Sequence, residues 1–437
     1  MQIREIAAVM KQNAPQMAFL TGEEKNRALQ AVRKALTEHA QEIFRANQED
    51  LERAEADQVP VQVRRRLVMD EKKLKDVCAG IEALITLPDP AGRVTLHREL
   101  DEGLTLRRVT CPIGVIGVIF EARPDALVQI STLCIKSGNT AILKGGKETA
   151  CTNEVLYRII HEAGVDAGLP EHFLELATTH TQIDELLKCD REVDLLIPRG
   201  SNRFVRYIMD HTNIPVMGHS DGICHIYVDE KADVSMALQV ITDAKTQYPV
   251  ACNAVETILV NRSISESFLP LLAGALHCAG VGMHADREAV SILHRSCPEE
   301  IAASVSQLEE DDFRTEYGDL ELSIKVVADT ASAAEHINRF GSHHTDAIIT
   351  EDDAAAAYFM RMVDSAGVYR NASTRFADGF RYGFGAEVGI ATGKLHARGP
   401  VGLDGLVTYK YELTGHGQIV GDYASGKKAF HFREIAD

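Results

Sequence analysis

Val115-Ile116-Gly117-Val118-Ile119-Phe120 is an uninterrupted apolar run, followed by a helical stretch from Asp125 to Lys136 and a second run, Thr140-Ala141-Ile142-Leu143-Lys144. Apolar strands with no polar face, joined through a helix, predict a parallel sheet covered on both sides. Outward from this unit the alternation persists: a helix from Thr149 to Ala163, Leu174-Glu175-Leu176, a helix at Asp184, Asp194-Leu195-Leu196-Ile197, a helix from Arg203 to Asp210, and Ile223 to Val228. A second series begins at Thr257 to Val260 and includes strands Ser323 to Val327, Ala347 to Thr350 and Gly367 to Tyr369. Helices Ser265 to Ala279, Ser332 to Phe340 and Asp353 to Val363 separate them. The chain reads as α/β with two parallel-sheet domains, the first of nucleotide-binding architecture.

The flanks differ in pattern. Thr21 and Glu24 have capping-box spacing ahead of the stripe Ala28, Leu29, Val32 and Leu36, so residues 21–58 are expected to be helical, with Asn47-Gln48-Glu49-Asp50 as a second cap and first turn. Val94 to Leu100 and Leu104 to Thr110 alternate around Asp101-Glu102-Gly103 as a hairpin, an arm suited to reaching another subunit. Phe380 to Gly405 is glycine-rich and reads as a long loop; Leu406 to Leu413 reads as a last strand. The expected boundaries are 1–93 with 111–228 for the first domain, 229–401 for the second, and 94–110 with 402–437 for the flap and C-terminal segment.

Composition narrows the function. The 437 residues carry 46 Lys+Arg against 64 Asp+Glu, a net charge of −18, which argues against a nucleic-acid partner and for a soluble, acidic cytoplasmic protein. Arg4, Glu5, Lys11 and Gln12 break up the opening segment, so it lacks the core of a signal peptide, and no apolar run is long enough to span a membrane. Nine scattered cysteines, an odd number without a CxxC pair, fit reduced thiols.

Gln247-Tyr248-Pro249-Val250-Ala251-Cys252-Asn253-Ala254-Val255-Glu256-Thr257 places one cysteine among small residues just before a strand. A thiolate there suits covalent catalysis, holding an acyl group as a thioester. Lys144-Gly145-Gly146-Lys147 and Pro198-Arg199-Gly200-Ser201 both follow a strand and precede a helix, where amides and flexible backbone suit phosphate or ribose. The plainer readings are a strand-to-helix turn with a solvated lysine and a simple cap at Ser201. Walker and GxGxxG patterns are missing, so a kinase and a standard Rossmann dehydrogenase lose support. Arg123, in Glu121-Ala122-Arg123-Pro124-Asp125, is placed either to grip a carboxylate or phosphate or to pair with its own acidic neighbours. His343-His344 and His219-Ser220-Asp221 lack metal-ligand spacing, so no metal is expected.

These stretches, with CPIGVIGVIFEARPD, SGNTAILKGGKE, IPRGSNRFVR, PVACNAVETILV, HTDAIIT and FGAEVGIATGKLHARGPVGL, resemble the gamma-glutamyl phosphate reductase family of the aldehyde dehydrogenase superfamily over nearly the whole chain. The resemblance implies NADPH-dependent reduction of L-glutamate 5-phosphate to L-glutamate 5-semialdehyde with release of phosphate, the second step of L-proline synthesis from glutamate. It also implies an NADPH-binding domain, a catalytic domain bearing Cys252, a β-flap for homo-oligomers, and room for association with a glutamate 5-kinase. By the same match Cys252 attacks the acyl phosphate, Lys144 contacts the adenosine ribose, and Glu316 holds the nicotinamide ribose. Where hydrolytic relatives carry an ELGGK-like segment whose glutamate activates water, this chain has His219-Ser220-Asp221-Gly222-Ile223, so water attacks the thioester more slowly. An EARP segment replaces one that holds an oxyanion-hole asparagine. Arg123, Asn371, Ser373, Thr374 and Arg375 are the expected substrate contacts, because the substrate brings a carboxylate, an ammonium and a phosphate. Rival readings are an acylating dehydrogenase that exchanges a coenzyme A thioester and a silent scaffold of the same fold.

Overall fold

Ala28, Leu29, Val32 and Leu36 are buried along helix Gly22–Glu38, whose start carries the full capping box: Thr21 Oγ1 accepts from Glu24 N, and the Glu24 carboxylate accepts from Thr21 N at 2.8 Å. The computed structural model describes residues 3–178, 181–219 and 221–435. The helical stretch expected over 21–58 is two helices, Gly22–Glu38 and Ala40–Ala56, meeting at His39. Asn47 and Asp50 are no second cap of their own chain segment. They lie inside the second helix, buried, and serve distant backbone instead. Asn47 bridges Leu67 O and Met69 N at 2.8 Å each; Asp50 receives Cys151 N at 3.1 Å and Thr152 N at 2.8 Å.

Two compact units result, one of Met1–Met217, Phe384–Gly389 and Val401–Asp437, the other of Gly218–Gly383 and Ile390–Pro400. In the first, β1 (Val94–Asp101) and β2 (Leu104–Pro112) form the expected hairpin, turning at Gly103 with φ 67°. β3 (Val115–Phe120), β4 (Thr140–Lys144), β5 (Leu174–Ala177) and β6 (Leu195–Arg199) form a parallel sheet in the order β5-β4-β3-β6. The chain steps outward from β3 to β5 and then returns to the other side of β3. That reversal leaves a switch point between the carboxyl ends of β3 and β6, the position where open α/β sheets bind ligands.

The second unit holds β7 (Cys224–Val228), β8 (Val255–Asn261), β9 (Gly282–Ala285), β10 (Val305–Gln307), β11 (Glu321–Val327), β12 (Thr345–Ile349) and β13 (Gly367–Arg370). All are parallel, in the order β10-β9-β11-β8-β7-β12-β13. Ile226, Val228, Ile258, Val260, Ile324 and Ala347 form its core with helix residues Phe268, Leu269 and Leu272. β7 sits inside this sheet between β8 and β12, so the expected boundary at 228/229 is corrected to 217/218. Ile223 to Val228 continues the first apolar series along the chain, but periodicity does not tell which sheet a strand joins. The glycine-rich tract is not all loop: it contains β14 (Gly389–Ala391) and β15 (Gly399–Val401), a two-stranded sheet. The last long strand, β16 (Val407–Thr414), pairs with β2, and the short β17 (Arg433–Glu434) pairs with β1, completing a four-stranded antiparallel flap within the first unit. No helix among the described residues is long and apolar enough to cross a membrane.

Candidate active site

The turn that carries Cys252 is clamped from both ends. Helix Val234–Thr246 precedes it and β8 follows, and a buried ion pair joins the two, Lys245 Nζ to Glu256 Oε2 at 2.8 Å. Burial pushes the Glu256 carboxyl up to about 7 against the pull of Lys245, and Glu316 adds to the rise. Glu316 itself lies half-buried in the segment before β11. Within the turn Ala254 N donates to Ala251 O at 2.8 Å, and Cys252 is half-buried, its sulfur without a hydrogen bond among the described residues.

Gly222 holds the nucleophile from the side. A Cβ built there would stand 2.6 Å from Cys252 Cα and 2.7 Å from its Cβ, so only glycine lets these two backbones meet. Ser220, in the same segment, lies outside the described residues. Cys224 Sγ donates to the Cys252 carbonyl at 3.4 Å. From the other side, Thr374 Oγ1 donates to Asn253 O at 2.7 Å and Asn253 Nδ2 donates to Ala377 O at 2.8 Å, tying the 371–377 segment to the nucleophile turn.

The expected substrate loop therefore divides. Thr374 is buried with its hydroxyl engaged on backbone. Asn371, at φ 53°, donates to Thr350 O and accepts from Thr350 N at 2.9 Å, so its amide braces the end of β12. Ser373 accepts from Arg375 N at 3.3 Å. Arg375 is nine-tenths buried, bonded through Nε to Gln247 Oε1 at 2.9 Å. Burial, then Arg381, holds its guanidinium below the usual range, while the Cys252 thiolate acts in the opposite direction.

His219 and His344 complete the neighbourhood. One ring nitrogen of each and the Cys252 sulfur all lie within 4.8 Å of one another. His219 precedes β7, Cys252 precedes β8 and His344 precedes β12, three strands adjacent in the sheet, so the cluster forms at their amino ends. Sequence spacing did not reveal it because each residue comes from a different loop.

In the first unit, Lys144 ends β4 buried, its Nζ donating to Gly145 O, and burial lowers its ammonium pKa, with Glu148 opposing. A Cβ on Gly146 would approach Ala122 N to 3.4 Å. Asn153 stands beside Gly145 with Nδ2 on Thr149 Oγ1 at 2.9 Å and Oδ1 buried without a partner among the described residues. At β6 the Ser201 amide, expected to meet a phosphate, instead donates to Glu121 Oε2 at 2.9 Å. A Cβ on Gly200 would stand 2.5 Å from the same oxygen. Arg199 pairs with Phe120 in the β3–β6 ladder. Arg123 is exposed and makes no side-chain bond among the described residues; Asp125 pairs with Lys73 at 3.0 Å.

The Aldehyde dehydrogenase family model matches residues 1–320. Gamma-glutamyl phosphate reductase of Acetivibrio thermocellus is 52% identical over 100% of this chain and 99% of its own length. That of Pelotomaculum thermopropionicum is 54% identical over 100% of this chain and 98% of its own. The crystal structure of gamma-glutamyl phosphate reductase from Thermotoga maritima has a TM-score of 0.91 at 37% identity, covering 96% of this chain and 100% of its own. An acetylating aldehyde dehydrogenase from Geobacillus thermoglucosidasius, at 18% identity and a TM-score of 0.63 over 95% of this chain and 97% of its own, shares the fold. The chain belongs to the aldehyde dehydrogenase family, and within it to the gamma-glutamyl phosphate reductases.

Proposed function

We propose that the chain reduces L-glutamate 5-phosphate to L-glutamate 5-semialdehyde and phosphate with NADPH, the second step of L-proline synthesis, through a thioester on Cys252. Full-length relatives at about half identity carry the corresponding name. The observation that carries the mechanism is a half-buried thiol with an unengaged sulfur, its backbone wedged against Gly222. Thiolate attack on the acyl carbon forms the thioester and releases phosphate. Arg375 and the Ser373 hydroxyl supply charge and hydrogen bonds for the phosphate and α-carboxylate. Asn371 and Thr374 act on the backbone that positions them.

The residues present fit a nicotinamide dinucleotide. Lys144 is a buried cation with a carbonyl and one carboxylate near it, Asn153 Oδ1 is a buried acceptor awaiting a donor, and Gly145 and Gly146 leave the turn free of side chains. Glu121 at Ser201 places a carboxylate at the switch point, which suits ribose hydroxyls better than a phosphate, so Arg199, Gly200 and Ser201 shape that edge. Glu316 is assigned to the nicotinamide ribose. When bound, the cofactor supplies the hydride that reduces the thioester.

The direct test is Cys252→Ala, expected to abolish turnover while leaving NADPH affinity within about twofold; retained turnover would remove Cys252 from the reaction. Release of phosphate rather than a free thiol product separates this activity from coenzyme A exchange.

A further inference from the structure

Each imidazole beside Cys252 already has a partner at its Nδ1. His219 Nδ1 stands 2.8 Å from the Ile390 carbonyl oxygen, which only accepts, so Nδ1 carries the proton and Nε2 keeps a lone pair. His344 is fully buried, with Nδ1 3.0 Å from the Thr345 hydroxyl and Nε2 without a partner among the described residues. A Thr345 hydroxyl that donates to Nδ1 leaves Nε2 as an N–H donor. An unpaired buried polar group is costly, and the cost is relieved when a ligand brings the missing partner. The rings meet edge to face at 5.2 Å between centroids, with one nitrogen of each within 4.8 Å of the sulfur. Catalytic hydrogen bonds are often long before substrate arrives.

We propose that His219 and His344 divide the proton work at Cys252: His219 is the base that takes the thiol proton and passes it to the departing phosphate, and His344 donates its Nε2 hydrogen to the charge developing on the acyl oxygen. The S–H bond breaks as its proton moves to His219 Nε2, and the sulfur electron pair forms the S–C bond. The C–O bond to phosphorus then breaks with its pair on oxygen. The imidazolium proton moves to that oxygen, so hydrogen phosphate leaves and His219 is neutral again. Ionisable groups near the thiol among the described residues include Arg375, the buried Cys224 thiol, and behind it Asp346, held by His225 at 2.8 Å. Arg375 is the cation that interacts with Cys252, whereas burial, then Asp346 and Cys252, pushes the Cys224 thiol well up.

The assignment rests on Cys252 as nucleophile, and its test separates the two ideas. Iodoacetamide labelling of the Cys252 peptide, followed by mass spectrometry across pH without substrate, reads the thiol directly. In His219→Ala the labelling rate is expected to lose its neutral-pH component and to follow an ordinary thiol of pKa about 8.5. His344→Ala is expected to keep the wild-type labelling profile while acyl-phosphate reduction falls about 10²–10³-fold. His344→Gln, which returns an N–H donor, recovers at least about 10-fold of that loss, and urea midpoints of the variants show that the buried site remains folded. A His219→Ala profile superimposed on wild type, or His344→Ala activity within about twofold of wild type, overturns the proposal. If Cys252→Ser reduces the acyl phosphate at the wild-type rate, the nucleophile assignment itself falls; if that variant is inactive and the His219→Ala profile is unchanged, only the histidine assignment does.

Discussion

At the scale of single residues, the nucleophile depends on an atom that is not there. Gly222→Ala introduces a methyl carbon 2.6 Å from Cys252 Cα, and backbone on both sides must shift. A misplacement of about 1 Å costs about 10²-fold in rate, so kcat/KM is expected to fall by that order while circular dichroism stays native. Activity within about twofold would show that the two segments do not constrain each other. His336 gives a residue-scale test of stability. Buried between Phe313 and Phe340, its pKa is pushed down to about 2, first by burial and then by His225 and Lys325. The unfolded chain takes a proton near pH 6.5 that the folded chain refuses, so this contribution is complete above about pH 6.5. It is lost as pH falls, by up to about 1.4 kcal/mol per unit. Urea midpoints at about pH 7.5 and 5.5 are expected to differ less in His336→Leu than in wild type; equal sensitivity would contradict the buried neutral imidazole.

At the scale of elements, Asp50 acts as a cap in trans. Helix Ala150–Asp166 has no side-chain cap of its own, and Asp50 supplies one through Cys151 N, Thr152 N and Thr152 Oγ1. Asp50→Ala leaves these donors buried and unpaired, so urea unfolding is expected to show a loss of about 2–3 kcal/mol; a change under about 0.5 kcal/mol would contradict this role. The same residue marks the limit of sequence reading. Asn and Asp signal caps, yet the pattern does not say whose helix they cap. The apolar run Val115–Phe120, and Thr257 to Val260 within the strand Val255–Asn261, were legible because both faces are buried. β9 and β10 were missed: Gly282–Ala285 alternates in burial, and only Val305 of Val305–Gln307 is buried. Cys252 stood out through its small neighbours and the strand after it. The histidine pair did not, because His219 and His344 meet only when β7, β8 and β12 lie side by side.

At the scale of the whole molecule, the flap presents an edge strand. Tyr409, Tyr411 and Leu413 alternate along β16 and stay 52%, 58% and 59% exposed, an apolar row on a sheet margin that invites pairing with another copy. We propose a homo-oligomer built on this edge. Light scattering on Tyr411→Lys with Leu413→Lys is expected to show a smaller species than wild type, and an unchanged mass would place the interface elsewhere. The chemistry is tested most directly in reverse. Enzyme mixed with glutamate 5-semialdehyde and NADP⁺ without phosphate is expected to form about one equivalent of NADPH and then stop, with the glutamyl mass on the Cys252 peptide, because water attacks that thioester slowly; added phosphate restarts turnover. Steady NADPH formation without phosphate, or a Cys252 peptide of unchanged mass, would contradict the account.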